Sequence, residues 1–250
     1  MQPLSPPSRL AWLGQPNSRN KLAGVDAPAS ILDAGSRALL SDFDHQIAGS
    51  GGIASIKAQT MGSGNLRVTI SGTAHPGRIS RSGSGGAPIA PSFNDSPKLI
   101  KAGEVGLPHQ DWQRAHLWGP GFGDEAAAGL WYARTEVNNI LQNGITEGFV
   151  RDLATQAEAA GGSVSVTVSG ERYSPDEVPA AHRGGEFLKE IQYQVTVRDA
   201  GGNEVSSHRM EFGLTPPPDG RFQNWEADET SRRYLDPLMS DRAAAADERR

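Results

Sequence analysis

A chain of 250 residues with 30 Gly, 17 Pro and 36 % hydrophobic residues suits one domain of about 150 residues with a small core and flexible ends. The absence of cysteine excludes disulfides and thiolate metal sites, and a net charge of -5 excludes the broad basic surface of a protein that holds nucleic acid mainly by phosphate neutralisation. Only residues 55–125 carry a positive balance, +2, so any contact with nucleic acid is local or enzymatic. The start, "MQPLSPPSRLAWLGQ", has no basic stretch followed by an apolar run, so neither a Sec signal nor a membrane span is expected.

In chain order, residues 1–28 are rich in Pro, Ser, Asn and Gly without periodicity and read as a linker. A helix is expected over about 30–47, with Ser30 as N-cap and Ile31, Leu32, Leu39, Leu40, Phe43 and Ile47 at helical spacing. "GSGGIASIKAQTMGSGN" is glycine-rich, lacks the Lys-Ser/Thr ending of a phosphate loop, and reads as a loop. "NLRVTISG" turns Leu66, Val68 and Ile70 inward as a strand, and "SRSGSGGAPIAPSFNDSP" is a low-complexity loop.

From Asp124 the pattern reads as two helices. One carries Leu130, Val137, Ile140 and Leu141, with Thr135 able to cap a second segment within it and Asn143 and Gly144 able to end it. The next starts at the cap Thr146, buries Phe149, Val150 and Leu153, and stops at Gly161 and Gly162. Val164, Val166 and Val168 then alternate in a strand. Ile191, Tyr193, Val195 and Val197 share a face of another, which returns through "DAGGN" to a strand with Val205, Met210 and Phe212. This meander needs a helix on its apolar face. The class is α+β, an antiparallel sheet with a C-terminal meander packed against two or three helices. Residues 29–213 form the domain, and 214–250 are a tail with a short helix.

The densest chemistry lies in "DWQRAHLWGPGFGDE", residues 111–125. In an extended strand Arg114 and His116 project from one face, about 6.5–7 Å apart. A neutral imidazole can activate water there while the guanidinium neutralises a developing oxyanion, which suits phosphodiester cleavage. A lone His is also commonly a structural hydrogen-bonding residue. "GPGFG" reads either as a loop bringing backbone to a ligand or as a tight connector. Asp124 and Glu125 sit where a helix starts, a place the helix dipole favours for carboxylates whatever else they do. Asn138 and Asn139 are poor helix formers. Asn138 borders the apolar face, and either the pair offers an oxygen ligand to a hard cation such as Mg²⁺ or it faces solvent. His109 reads as a loop residue, and His45, His75, His182 and His208, in polar surroundings or at turns, carry no assigned role.

Over "WQRAHLWGPGFGDE" and "GLWYARTEVNNILQNGITEGFVRDL" the chain resembles toxin domains of bacterial polymorphic toxin systems, carried by Rhs, contact-dependent inhibition and type VI effectors, and is similar to the group called polymorphic toxin type 4. The resemblance implies a toxin delivered into a target-cell cytoplasm by a secretion apparatus or larger carrier polypeptide, blocked by a cognate immunity protein, and acting as a nuclease on DNA or RNA. A second resemblance is to non-specific endonucleases of the ββα-metal fold, which place Asp-Arg-Gly-His on a strand and a metal-binding Asn on a following helix. It implies His116 as general base, Arg114 as phosphate contact and Asn138 as ligand to a divalent metal, with Gln113 and Ala115 departing from the pattern. Asn139, Glu125 and Trp118 are supporting candidates. The rival readings are a transferase toxin modifying a host protein or nucleotide, and a non-enzymatic binding module that uses the aromatic 112–122 loop.

Overall fold

The computed structural model describes residues 43–46, 52–75, 106–108, 110–122, 126, 129–183, 185–229, 231–233 and 236. Its frame is a seven-stranded antiparallel sheet in the order β1 (Phe43–Gln46), β2 (Ile53–Thr60), β3 (Leu66–Thr73), β6 (Ser163–Arg172), β7 (Leu188–Arg198), β8 (Glu204–Leu214) and β9 (Phe222–Ala227). A two-stranded ribbon, β4 (Trp112–Ala115) with β5 (Trp131–Arg134), stands apart from it. Mostly antiparallel sheet and one long helical segment make up the described chain.

The alternating strands form as their period dictates. Leu66, Val68 and Ile70 of β3, Val164, Val166 and Val168 of β6, and Ile191, Tyr193 and Val195 of β7 all point into one core. The opposite face is polar, with hydroxyl pairs Thr69–Ser169 at 3.0 Å and Ser71–Thr167 at 3.1 Å laddered across β3 and β6. Val205 departs from its expected face: it lies an odd number of residues from Met210 and Phe212, so the pleat turns it outward, 50 % exposed.

Residues 53–60 are a strand, not a loop. A register shift between Ile53 and Ser55 breaks the alternation that would have revealed it. At its start Gly72 meets Gly52 so closely that a β-carbon on Gly72 would lie 2.0 Å from the Gly52 carbonyl oxygen, which only glycine allows. Phe43–Gln46 pairs with β2 as a strand where the end of a helix is expected, because an available sheet edge outweighs local helical spacing; the rest of the expected helix lies outside the described residues, as do 1–28 and the loop at 80–97.

The helix expected from Asp124 onward is also replaced in part. Trp131 and Tyr132, adjacent and both buried, belong to β5, as aromatic residues favour strands. Helix then runs without interruption from Val137 to Ala159, first as a π-helical segment, Val137–Thr146, and then as α1, Glu147–Ala159. Asn143 and Gly144 do not end it, and Thr146 is not a cap: its hydroxyl donates backward to the Leu141 carbonyl at 3.0 Å. The stop is where glycine predicts it, with Gly161 at φ +74°. α1 packs on β6 and β7 through Phe149, Val150, Leu153, Ala154 and Ala157. The sheet continues past residue 213 through β9, and residues 229, 231–233 and 236 are helical.

Candidate active site

β4 ends at Ala115, and His116 is the first residue beyond it. Arg114 is half-buried on the strand, and beyond His116 the chain bends at Leu117 and Trp118 and tightens into a 3₁₀ turn, Pro120–Phe122. The imidazole folds over the glycine loop. A β-carbon at Gly119 would lie 2.2 Å from His116 Nε2, so only glycine leaves room for the ring.

The aromatic rings of this stretch are scaffold. Trp118 and Phe122 are fully buried and meet edge to face, centroids 5.3 Å apart, and Trp112 stands edge-on to Phe187 at 5.4 Å. Trp112, Trp118 and Phe122 are enclosed in the core and pack this stretch against its neighbours. Asn138 is brought to the motif, but onto Gln113: its amide donates to Gln113 Oε1 at 3.1 Å and to Asn139 Oδ1 at 3.5 Å, with Asn139 half-buried beside it. Glu125 lies outside the described residues.

The π-helical segment supplies the next group. Gln142 is buried, and its amide donates to the His116 carbonyl at 2.5 Å, tying helix to loop. Five residues on, Glu147 opens α1 with only 2 % exposure. Arg151, one turn further, sets Nη1 3.5 Å from Glu147 Oε2 and donates to the Asn143 carbonyl at 3.0 Å. Its guanidinium lies against Gly121, where a β-carbon would be 2.6 Å from Nη1. Gly119 and Gly121 of one loop thus seat His116 and Arg151 respectively. From the sheet, fully buried Tyr193 of β7 brings its phenol within electrostatic reach of Glu147 and Gln142.

Burial sets the electrostatics. It raises the Glu147 carboxyl to about 7, against the opposing pull of Arg151 and of the Gln142 side chain. It holds the His116 imidazole down at about 4, so the ring is neutral near pH 7. Burial, with the neighbouring Glu147, also pushes the Tyr193 phenol well up. Within this cluster the buried Gln142 side chain faces both the Glu147 carboxyl and the Tyr193 hydroxyl, so the three polar groups answer one another inside the core.

The sequence pattern held a signal for these residues. Glu147 falls three before Val150 and seven before Ala154, on the stripe α1 buries, and Tyr193 sits between Ile191 and Val195 on the inward face of β7. A carboxylate on an apolar stripe, with a basic residue four positions on, is the readable anomaly.

The strand–strand–helix order of β4, β5 and the helical segment is the order the nuclease resemblance implies. At Asn138 the amide Nδ2 is the atom engaged by Gln113 and Asn139, and among the described residues no group of three His, Asp or Glu lies together as a metal site would need. Elsewhere, His208 proves to be a buried strand residue of β8 and not a turn residue, 3 % exposed, edge-on to Phe149 at 5.3 Å and hydrogen-bonded through Nε2 with the Ser206 hydroxyl at 3.0 Å. His75 pairs with Glu158 at 3.1 Å, and His109 lies outside the described residues. Among the described residues no helix is long and apolar enough to cross a membrane.

Comparison with known proteins returns one family. Residues 109–207 match the family model described as Bacterial toxin 4, a span that takes in the glycine loop, the whole helical segment and Tyr193. No curated protein and no solved structure is matched. Over residues 109–207 the chain is therefore similar to the bacterial toxin 4 family, the kind of toxin domain that polymorphic toxin systems carry.

Proposed function

We propose that this toxin domain is an enzyme that cleaves nucleic-acid phosphodiesters by acid–base catalysis in the cluster of His116, Gln142, Glu147, Arg151 and Tyr193. The observation that carries the reading is the Glu147 carboxyl, enclosed at the start of α1 and raised by burial to about 7 beside Arg151, with Gln142 tying it to the loop that carries His116. Neutral His116 is the proton acceptor, and protonated Glu147, titrating near neutrality, is the donor to the leaving oxygen. Arg151 and the Tyr193 hydroxyl face the charge that develops on the phosphoryl oxygens. Arg114, on β4 just before His116, contacts the phosphate chain outside the cluster. As a toxin domain it is delivered into target cells on a carrier polypeptide and neutralised by a cognate immunity protein.

The test is cleavage of labelled DNA and RNA by the purified chain, with Mg²⁺ and with EDTA. Glu147→Gln is expected to lower the rate about 10²-fold or more, and the wild-type rate to fall as pH rises through about 7, where Glu147 loses its proton. Gly119→Ala keeps every acid–base group but drives a β-carbon into the imidazole, and a comparable loss is expected. Cleavage unaffected by all three changes would show that the cluster is structural.

A further inference from the structure

We infer that the chain carries a second, covalent activity: Ser206 is a nucleophile toward carboxylic esters, with His208 as its base and Asp228 holding the imidazole. None of the three belongs to the cluster around Glu147, so this site is independent of the nuclease reading.

The residues come together from two elements. Ser206 and His208 are two positions apart on β8 and share its inward face, with Ser206 Oγ 3.0 Å from His208 Nε2. The other ring nitrogen, Nδ1, faces Oδ1 of Asp228, just beyond the end of β9, at 3.8 Å. Asp228 is itself fixed: Oδ2 accepts the Arg209 N–H at 2.6 Å and the Ser231 hydroxyl at 2.7 Å, and Oδ1 accepts the Ser231 N–H at 3.0 Å. Phe149 of α1 stands edge-on to the imidazole at 5.3 Å and limits its rotation.

The order of these atoms sets the chemistry. A carboxylate on the Nδ1 side favours the tautomer that carries its proton there, which leaves the Nε2 lone pair to accept the Ser206 hydroxyl. A hydroxyl becomes a nucleophile in that arrangement, a base within hydrogen-bond reach that is oriented in turn by a third group, and such contacts tighten when substrate binds.

Access separates this site from a core hydrogen bond. His208 is buried, but Ser206 is only half-buried, and its strand neighbours Glu204, Val205 and Ser207 are exposed. β8 is bulged there: Val197 pairs with Ser206 and Arg198 with Glu204, which leaves Val205 outside the ladder. Bulges re-aim side chains and are common next to active sites. The hydroxyl thus stands at the rim of the core with its base behind it.

An ester suits this set, since transfer of its acyl group consumes one hydroxyl nucleophile and one proton carrier. The Ser206 proton passes to His208 Nε2 as Oγ bonds to the acyl carbon; the bond from that carbon to the alcohol oxygen breaks, and the Nε2 proton passes to the departing oxygen. Water then gives a proton to Nε2 and its oxygen bonds to the acyl carbon; the bond to Oγ breaks, and the proton returns to Oγ. The products are an acid and an alcohol, and the chain is restored.

The experiment treats the full chain with p-nitrophenyl acetate and, separately, with a fluorophosphonate probe followed by peptide mass spectrometry. Release of p-nitrophenol and probe bound on Ser206 but not on Ser207 are the results expected, both lost in Ser206→Ala and kept in Ser207→Ala. Asp228→Asn retains an acceptor oxygen for Arg209 and Ser231, and is expected to slow labelling at least tenfold. Among the described residues Asp228 is the charged group that acts on the ring, favouring its protonated form, so the pH midpoint of labelling is expected to fall in Asp228→Asn; a merely structural Asp228 would leave that midpoint in place. No label on Ser206 of the folded wild-type chain, equal labelling of Ser206 and Ser207, or an unmoved midpoint would overturn the inference, and none of these results bears on nucleic-acid cleavage.

Discussion

Two single residues carry opposite proton linkages within one small volume. His116 takes up its proton near 4 when folded and near 6.5 when unfolded, so its contribution is complete above about 6.5 and is lost as pH falls toward 4. Glu147 behaves in reverse: folded it titrates near 7 against 4.5 unfolded, so stability is lost as pH rises from 4.5 to 7. The charged group facing Glu147 is Arg151 of its own helix, and the titratable group facing it from the sheet is Tyr193. A tenfold change in proton affinity is worth about 1.4 kcal/mol, so each linkage amounts to roughly 3 kcal/mol at most, and between pH 4.5 and 6.5 the two largely offset. Urea midpoints measured from pH 4 to 7.5 are therefore expected to diverge between variants. His116→Gln gains on the wild type as pH falls below 6.5, and Glu147→Gln gains as it rises above 4.5. Parallel curves for all three proteins would mean that neither group is buried as described.

At the scale of elements, the π-helical segment sets the site. Such helices occur mostly as single-turn bulges and collect at functional positions. Here Val137–Thr146 directs Gln142 at the His116 carbonyl, and the backbone N–H of Glu147 closes on the Gln142 carbonyl five residues back, which sets Gln142 against Glu147. Propensity gave no warning: Asn143 and Gly144 read as a stop, yet packing of Ile145 and Val150 into the core carries the helix through them. Deleting Gly144 removes one residue from the wide turns and rotates Gln142 by about 100° relative to α1. The helical signal in circular dichroism is expected to persist while cleavage falls at least tenfold; full activity in the deletion would show that the π register is dispensable.

For the whole molecule, the family match and the folding unit have different limits. Residues 109–207 begin after β3 and end inside β8, although β3 is hydrogen-bonded along the length of β6 and β9 along the last part of β8. A fragment of 109–207 would bare the β6 edge and one face of the core, so it is expected to elute as aggregate and show poorly dispersed amide resonances, whereas residues 43–236 are expected to fold. A monomeric, well-dispersed 109–207 fragment would show that β1–β3 are an addition to an independent domain.

Local pattern determined what period alone can specify. The alternation in β3, β6 and β7, the turn at Asp199–Asn203 with Gly202 at φ +81°, and the glycine stop after α1 follow from residues within a few positions of one another. Arg114, His116 and Asn138 were legible as polar residues in suggestive spacing, but spacing along a strand could not show that the strand ends at Ala115. Nor could it show that Asn138 commits its amide to Gln113. The cluster itself was decided by tertiary structure, because Glu147 and Tyr193 lie on different elements and each occupies an apolar stripe that reads as core. The packing of α1 on β6 and β7 turns two buried faces toward each other, and burial there raises the Glu147 carboxyl to about 7.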